Sequence, residues 1–167
     1  NSRINLNLRE EHAYTYGAFS QFDWRRYASL FEASTAVRSD VTGAAITEML
    51  REIERMRSER VSASELSLAV DYLTGVFPIR FETSAAIAGA LATRAGFGLA
   101  PDYFDSYRAR VAAVTADDVL RVAQVHLDPA RMQVVAVGDP ATVRGQLESL
   151  ALGEVHTYDA TGARLTV

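Results

Sequence analysis

The feature that most constrains this chain is a change of period at Asp40. From there to His126 the apolar residues recur at helical spacing, whereas the predicted strands lie before and after this block. In the block, Asp40 is expected to cap a long helix in which Ala44, Ile46, Met49, Leu50, Ile53 and Met56 form one face, ending near Arg60. Ser62-Ala63-Ser64-Glu65 reads as a capping box opening a second helix to about Thr74, and Pro78 interrupts the pattern. An alanine-rich helix then runs from about Thr83 to Ala95 and stops at Gly96-Phe97-Gly98. Pro101-Asp102 opens another helix through Ala113. Thr115, with Asp117 and Asp118 in the first turn, opens the next, which runs to about His126.

The flanks differ. Ser2 is a good N-cap for a short helix to about Glu11, with Ile4 and Leu8 on one face. Tyr14 to Phe22 reads as a strand with Tyr14, Tyr16, Ala18, Ser20 and Phe22 on one side. A turn near Asp23-Trp24-Arg25 leads to a second strand, Arg26 to Val37, whose more apolar face includes Tyr27, Phe31, Ala33, Thr35 and Val37. The two are expected to pair as an antiparallel hairpin. Beyond the helical block, Asp128-Pro129 breaks the pattern, and Arg131 to Val137 reads as a central buried strand. A helix over Ala141 to Leu150 and a short extended piece, Val155 to Tyr158, close the chain. Strands separated by a helical block predict an α+β fold, an antiparallel or mixed sheet with helices packed on one face. At 167 residues the chain is expected to form a single domain, 1–167.

Composition excludes several classes. Hydrophobic residues at 49% and charged residues at 23% are globular values, and a net charge of −4 with scattered cations leaves no nucleic-acid footprint. Without cysteine there is no disulfide, thiol nucleophile or thiolate metal site. His12, His126 and His156 are far apart, with no His-x-x-x-His or His-Glu-x-x-His spacing, and no nucleophile elbow or phosphate loop is present. Glu10, Glu11, Glu52, Glu54 and Glu59 follow helical faces and read as solvated charge. No catalytic residue and no metal ligand is assigned to this chain.

One constellation remains. Arg9 and Tyr16 stand seven residues apart, with Tyr14 two residues before Tyr16. A guanidinium offers several donors in a rigid fork, and a phenol can donate to an oxygen that gains negative charge. Together they can hold a peptide main chain and polarise a carbonyl. An ordinary alternative stands beside this: an arginine paired with a carboxylate at a helix end, and tyrosines that are sheet aromatics.

The run Asn1-Ser2-Arg3-Ile4-Asn5-Leu6-Asn7-Leu8-Arg9-Glu10-Glu11-His12-Ala13-Tyr14-Thr15-Tyr16-Gly17-Ala18 resembles the C-terminal, non-catalytic domain of the M16 metallopeptidases, the pitrilysin, insulinase and mitochondrial processing peptidase family, and above all its bacterial two-domain members. His126-Leu127-Asp128-Pro129 followed by Met132-Gln133-Val134-Val135-Ala136-Val137-Gly138-Asp139-Pro140 resembles that domain's last helix-to-strand passage. The resemblance implies the M16/LuxS-like metallohydrolase fold, here beginning inside the domain, without its first strand and helix. It also implies a substrate-binding, chamber-closing domain with no zinc of its own. The zinc belongs to a catalytic partner domain bearing His-x-x-Glu-His, in the same polypeptide or a separate subunit. By the same resemblance Arg9 and Tyr16 contact the peptide substrate, Tyr14 is a flanking aromatic assigned to the same substrate-binding face, and His12 has no assigned role. A structural or assembly subunit with a vestigial site is the alternative reading. The two-domain likeness favours a periplasmic over a cytoplasmic location in a bacterium.

Overall fold

The computed structural model describes residues 2–165. Among them, α1 (Arg3–Asn5) runs directly into a π-helical segment, Leu6–Glu11. Two strands follow, β1 (Ala18–Asp23) and β2 (Leu30–Thr35), and pair as a two-stranded sheet. Next come α2 (Thr42–Ser58), α3 (Ala63–Val76), α4 (Ser84–Phe97), α5 (Tyr103–Ala112) and α6 (Ala116–His126). After α7 (Pro140–Ser149), β3 (Thr157–Tyr158) pairs antiparallel with β4 (Arg164–Leu165), Thr157 lying opposite Leu165. The α+β class holds, with the strands gathered in two small sheets rather than one continuous sheet.

Most of the helix punctuation lies where the sequence puts it. The Ser2 hydroxyl accepts from the Asn5 amide at 3.3 Å, Ser62 from Glu65 at 3.1 Å and Thr83 from Ala86 at 3.1 Å. Thr115 and Asp118 cap each other reciprocally, each side chain accepting from the other's backbone amide at 3.1 Å. The Thr115 hydroxyl and amide hold the Asp118 carboxyl below the usual carboxylate range. At the end of α4, Gly98 takes φ 63°, a left-handed conformation that costs glycine little, and the Leu99 amide closes the helix on the Arg94 carbonyl at 2.9 Å.

Four expectations are corrected. Asp40 is not the cap of α2: it lies in a 3-10 turn, Ser39–Val41, with its carboxylate taken by the Arg38 guanidinium at 3.2 Å, and the helix starts at Thr42. The first strand begins at Ala18 and not at Tyr14, so neither tyrosine of the candidate pair lies in a sheet. The second strand is also shorter, and its less exposed face is Phe31, Ala33 and Thr35, with Tyr27 91% exposed outside it. The fourth correction is the largest. Met132–Val137 forms no ladder, and Val135 and Val137 are 86% and 99% exposed. An apolar run becomes a buried strand only when another backbone pairs with it, and none of the described residues does so.

The chain divides into two compact units. The first draws its described residues from Asn1–Gln21, Phe31–Glu54 and Pro129–Val167. Its core is Ile4, Leu8, Ala18 and Ala45, with Tyr14, Ala33, Val37 and Met49 packed against it. Leu8 is the large side chain fully buried there. In the same unit Gln146 of α7 seats on the start of α2: its Oε1 accepts from the Gly43 amide at 2.9 Å and its Nε2 donates to the Ser39 carbonyl at 2.7 Å. A Cβ at Gly43 would lie 3.2 Å from that of Gln146, so a larger residue there would have to push Gln146 back by a few tenths of an ångström.

The second unit comprises Phe22–Leu30 and Arg55–Asp128. It is held by an aromatic cluster in which Phe77 stacks on Tyr107 at 4.5 Å and tilts against Phe81 at 4.9 Å, with Phe104 edge-on to Phe81 at 5.3 Å. The Gln124 amide donates to the Arg57 carbonyl at 3.0 Å, and Arg60 pairs with Asp117. Among the described residues no helix is long and apolar enough to cross a membrane.

Candidate functional site

All three singled-out residues lie in the first unit, on the segment that joins the opening helical turns to β1. Ile4, Asn7 and Leu8 form the inward face of those turns and are buried, which leaves Arg9 and Glu10 pointing outward. The Arg9 side chain is 53% exposed, and its Nε lies 3.5 Å from Glu10 Oε1. Such a pair between neighbouring exposed residues is weak and easily exchanged for another anion or acceptor.

The chain leaves the helical segment by wide bonds. The His12 amide donates to the Asn7 carbonyl at 3.0 Å and the Tyr14 amide to the Leu8 carbonyl at 2.9 Å. Between them Ala13 adopts φ 51°, a left-handed backbone that is uncommon for a residue with a Cβ. This single residue turns the chain from the helix towards β1. Ala13 is exposed, so its methyl group has little packing to lose. Ala13→Gly is therefore expected to raise stability by up to about 1 kcal/mol, the relief of strain outweighing the extra chain entropy of glycine. Equilibrium urea unfolding measures this, and a clear loss of stability would refute the strain argument.

Tyr14 and Tyr16 then part company. Tyr14 packs on the core cluster and stacks on the His12 ring, centroids 4.9 Å apart and planes 14° from parallel. Tyr16 is 100% exposed, and among the described residues it makes no hydrogen bond or ring contact. Its backbone is nevertheless pinned. The Thr15 hydroxyl lies 2.8 Å from the Ala36 carbonyl, and the Thr35 hydroxyl donates to the Gly17 carbonyl at 3.1 Å. One residue further on, the Ala18 amide donates to Asn5 Oδ1 at 2.8 Å. The arrangement is a rigid backbone presenting a free phenol, with an outward arginine at the other end of the same segment. No contact joins Arg9 to Tyr16 among the described residues.

Several residues shaping this segment escaped the sequence reading. Glu52, read as solvated charge, is 4% exposed and accepts from Asn7 Nδ2 at 3.2 Å. Glu48 accepts from the same nitrogen at 2.8 Å. Their spacing of four residues on α2 was visible, but a helical face shows its direction only once a neighbour is packed on it. His12, given no role, contacts both Tyr14 and Glu48. Among the described residues no group of three or more His, Asp or Glu side chains is placed to hold a metal ion.

The geometry is that of an α+β chain with an outward arginine and tyrosine on one segment. Residues 1–73 match the family model of the peptidase M16 inactive domain. The structure is also similar to the crystal structure of a peptidase M16 inactive domain from Pseudomonas fluorescens, with a TM-score of 0.71 and 20% identity over 76% of this chain. The match spans 30% of that longer chain. No curated protein matches the sequence. The first 73 residues are thus similar to the peptidase M16 inactive domain, and most of the chain shares the fold of that solved inactive domain.

Proposed function

We propose that this chain is the substrate-binding, chamber-closing half of a zinc metalloendopeptidase, in which Arg9 and Tyr16 hold the main chain of the peptide being cut. The observation that carries the reading is Tyr16: a phenol 100% exposed on a backbone anchored through Thr15, Gly17 and Ala18. An aromatic side chain held out in water on a fixed backbone is suited to meet something from outside the chain. The Arg9 fork donates to main-chain carbonyls, and the Tyr16 hydroxyl donates to the oxygen that gains charge as the peptide bond is attacked. Tyr14 serves from behind, as the surface on which His12 stacks.

Zinc, with the His-x-x-Glu-His motif, belongs in this reading to a catalytic partner domain and supplies the activated water there. Support for a partner comes from the apolar residues left uncovered in the second unit, Leu68 at 63% and Tyr72 at 67% exposure on α3 and Leu91 at 47% on α4. Residues 1–167 act together as one domain in this assembly. The test is reconstitution. Peptide hydrolysis is expected to need both this chain and the catalytic domain; a catalytic domain that cleaves equally well without the chain would overturn the proposal.

A further inference from the structure

The turn that carries Arg9 is held on both sides by one carboxylate. Glu48 Oε2, on α2, accepts from Asn7 Nδ2 at 2.8 Å and lies 3.9 Å from His12 Nε2. Asn7 stands two residues before Arg9 and His12 three residues after it, so the two contacts bracket the arginine. The accessibilities fall in the matching order. Asn7 is 5% exposed, the Glu48 side chain 16%, the His12 side chain 36% and that of Arg9 53%. A carboxylate withdrawn this far from water is held where polar partners face it, and here one hydrogen-bond donor, Asn7, and one imidazole, His12, come from the segment that bears Arg9. Arg51, on the same helix as Glu48, donates to the same oxygen at 3.4 Å.

The consequence is mechanical. Arg9 itself has only the weak contact with Glu10, so its direction is set by the backbone beneath it. That backbone is a π-helical turn, a rare form found mostly as single turns. Rotation of the turn on α2 would disturb both the Asn7 bond and the His12 contact. The stack of His12 on Tyr14 carries the same restraint past Ala13 towards Tyr16.

We infer that Glu48 is a positioning residue for the substrate contact of Arg9, acting through Asn7 on one side and His12 on the other. The inference rests on the proposed role of Arg9. Its test uses the assembled peptidase, this chain with its catalytic domain, and a quenched fluorogenic peptide that the wild-type assembly cleaves. Glu48→Ala and His12→Leu are each expected to raise KM about tenfold and to leave kcat within about twofold, since a misplaced clamp weakens binding of the main chain. Glu48→Gln should recover most of the loss, because its amide oxygen still accepts from Asn7. A purely structural anchor would lower the melting temperature without moving KM. Should Glu48→Ala fold poorly, His12→Leu carries the test, the His12 side chain being 36% exposed. If Arg9→Ala raises KM while both Glu48→Ala and His12→Leu leave it unchanged, the positioning role is overturned and the substrate contact survives. If Arg9→Ala itself leaves KM unchanged, the substrate contact falls and the positioning role with it.

Discussion

Replacing Tyr16 by phenylalanine in the assembled peptidase is expected to lower kcat by about a hundredfold, the scale seen when one donor to a developing oxyanion is removed. The same substitution should leave the fold untouched. The Tyr16 hydroxyl bonds to nothing among the described residues and the ring is 100% exposed, so the folded chain loses no contact with it. The two readouts therefore separate function from stability without a correction. Steady-state hydrolysis measures the first and thermal unfolding the second. An unchanged kcat would remove Tyr16 from the reaction and favour the alternative in which the domain is a structural or assembly subunit with a vestigial site.

The largest effect on stability is expected at Leu8. It is 0% exposed, at the centre of the core cluster with Ile4, Ala18 and Ala45, two of whose four members are alanines. A core this small has few side chains able to relax into a cavity. Leu8→Ala is expected to cost about 3 kcal/mol, within the 2–5 kcal/mol usual for such truncations. Leu6, on the same turns but 44% exposed, provides the control, and Leu6→Ala should cost less than about 1 kcal/mol. Denaturant unfolding of both variants checks the comparison. Equal losses would mean that helix propensity, rather than burial, dominates at these positions. Because Leu8 anchors the turn on which Arg9 is the next residue, its truncation is also expected to weaken cleavage in the assembly, whereas Tyr16→Phe acts on cleavage alone.

The helix boundaries were legible because their causes are local. Ser2, Ser62, Thr83 and Thr115 each cap a helix through a hydroxyl within three residues of its donor, and Gly98 ends α4 through its own backbone freedom. Where a local signal had a competitor it failed. Asp40 has a good capping side chain, but Arg38 lies two residues away and takes the carboxylate. Tyr14 and Tyr16 have strand-forming side chains, but Asn5, Thr15 and the left-handed Ala13 hold their backbone outside the ladder.

The candidate site divides in the same way. Arg9 and Tyr16 could be singled out from residue type, spacing and family likeness, since a guanidinium and a phenol carry their chemistry with them. The residues that set their direction could not. Glu48, Asn7 and His12 are separated by up to 41 residues in sequence, and no periodicity links them. By itself the sequence determined the α+β class, the helical block, most of the caps and the family likeness of the opening run, all consequences of short-range sterics and hydrogen bonding. Tertiary structure alone decided that Glu52 is buried, that Met132–Val137 stays an unpaired exposed run, and that Tyr14 turns inward while Tyr16 points to solvent. Each of those depends on which distant backbone or side chain arrives as a neighbour, and burial is a property of the neighbour as much as of the residue.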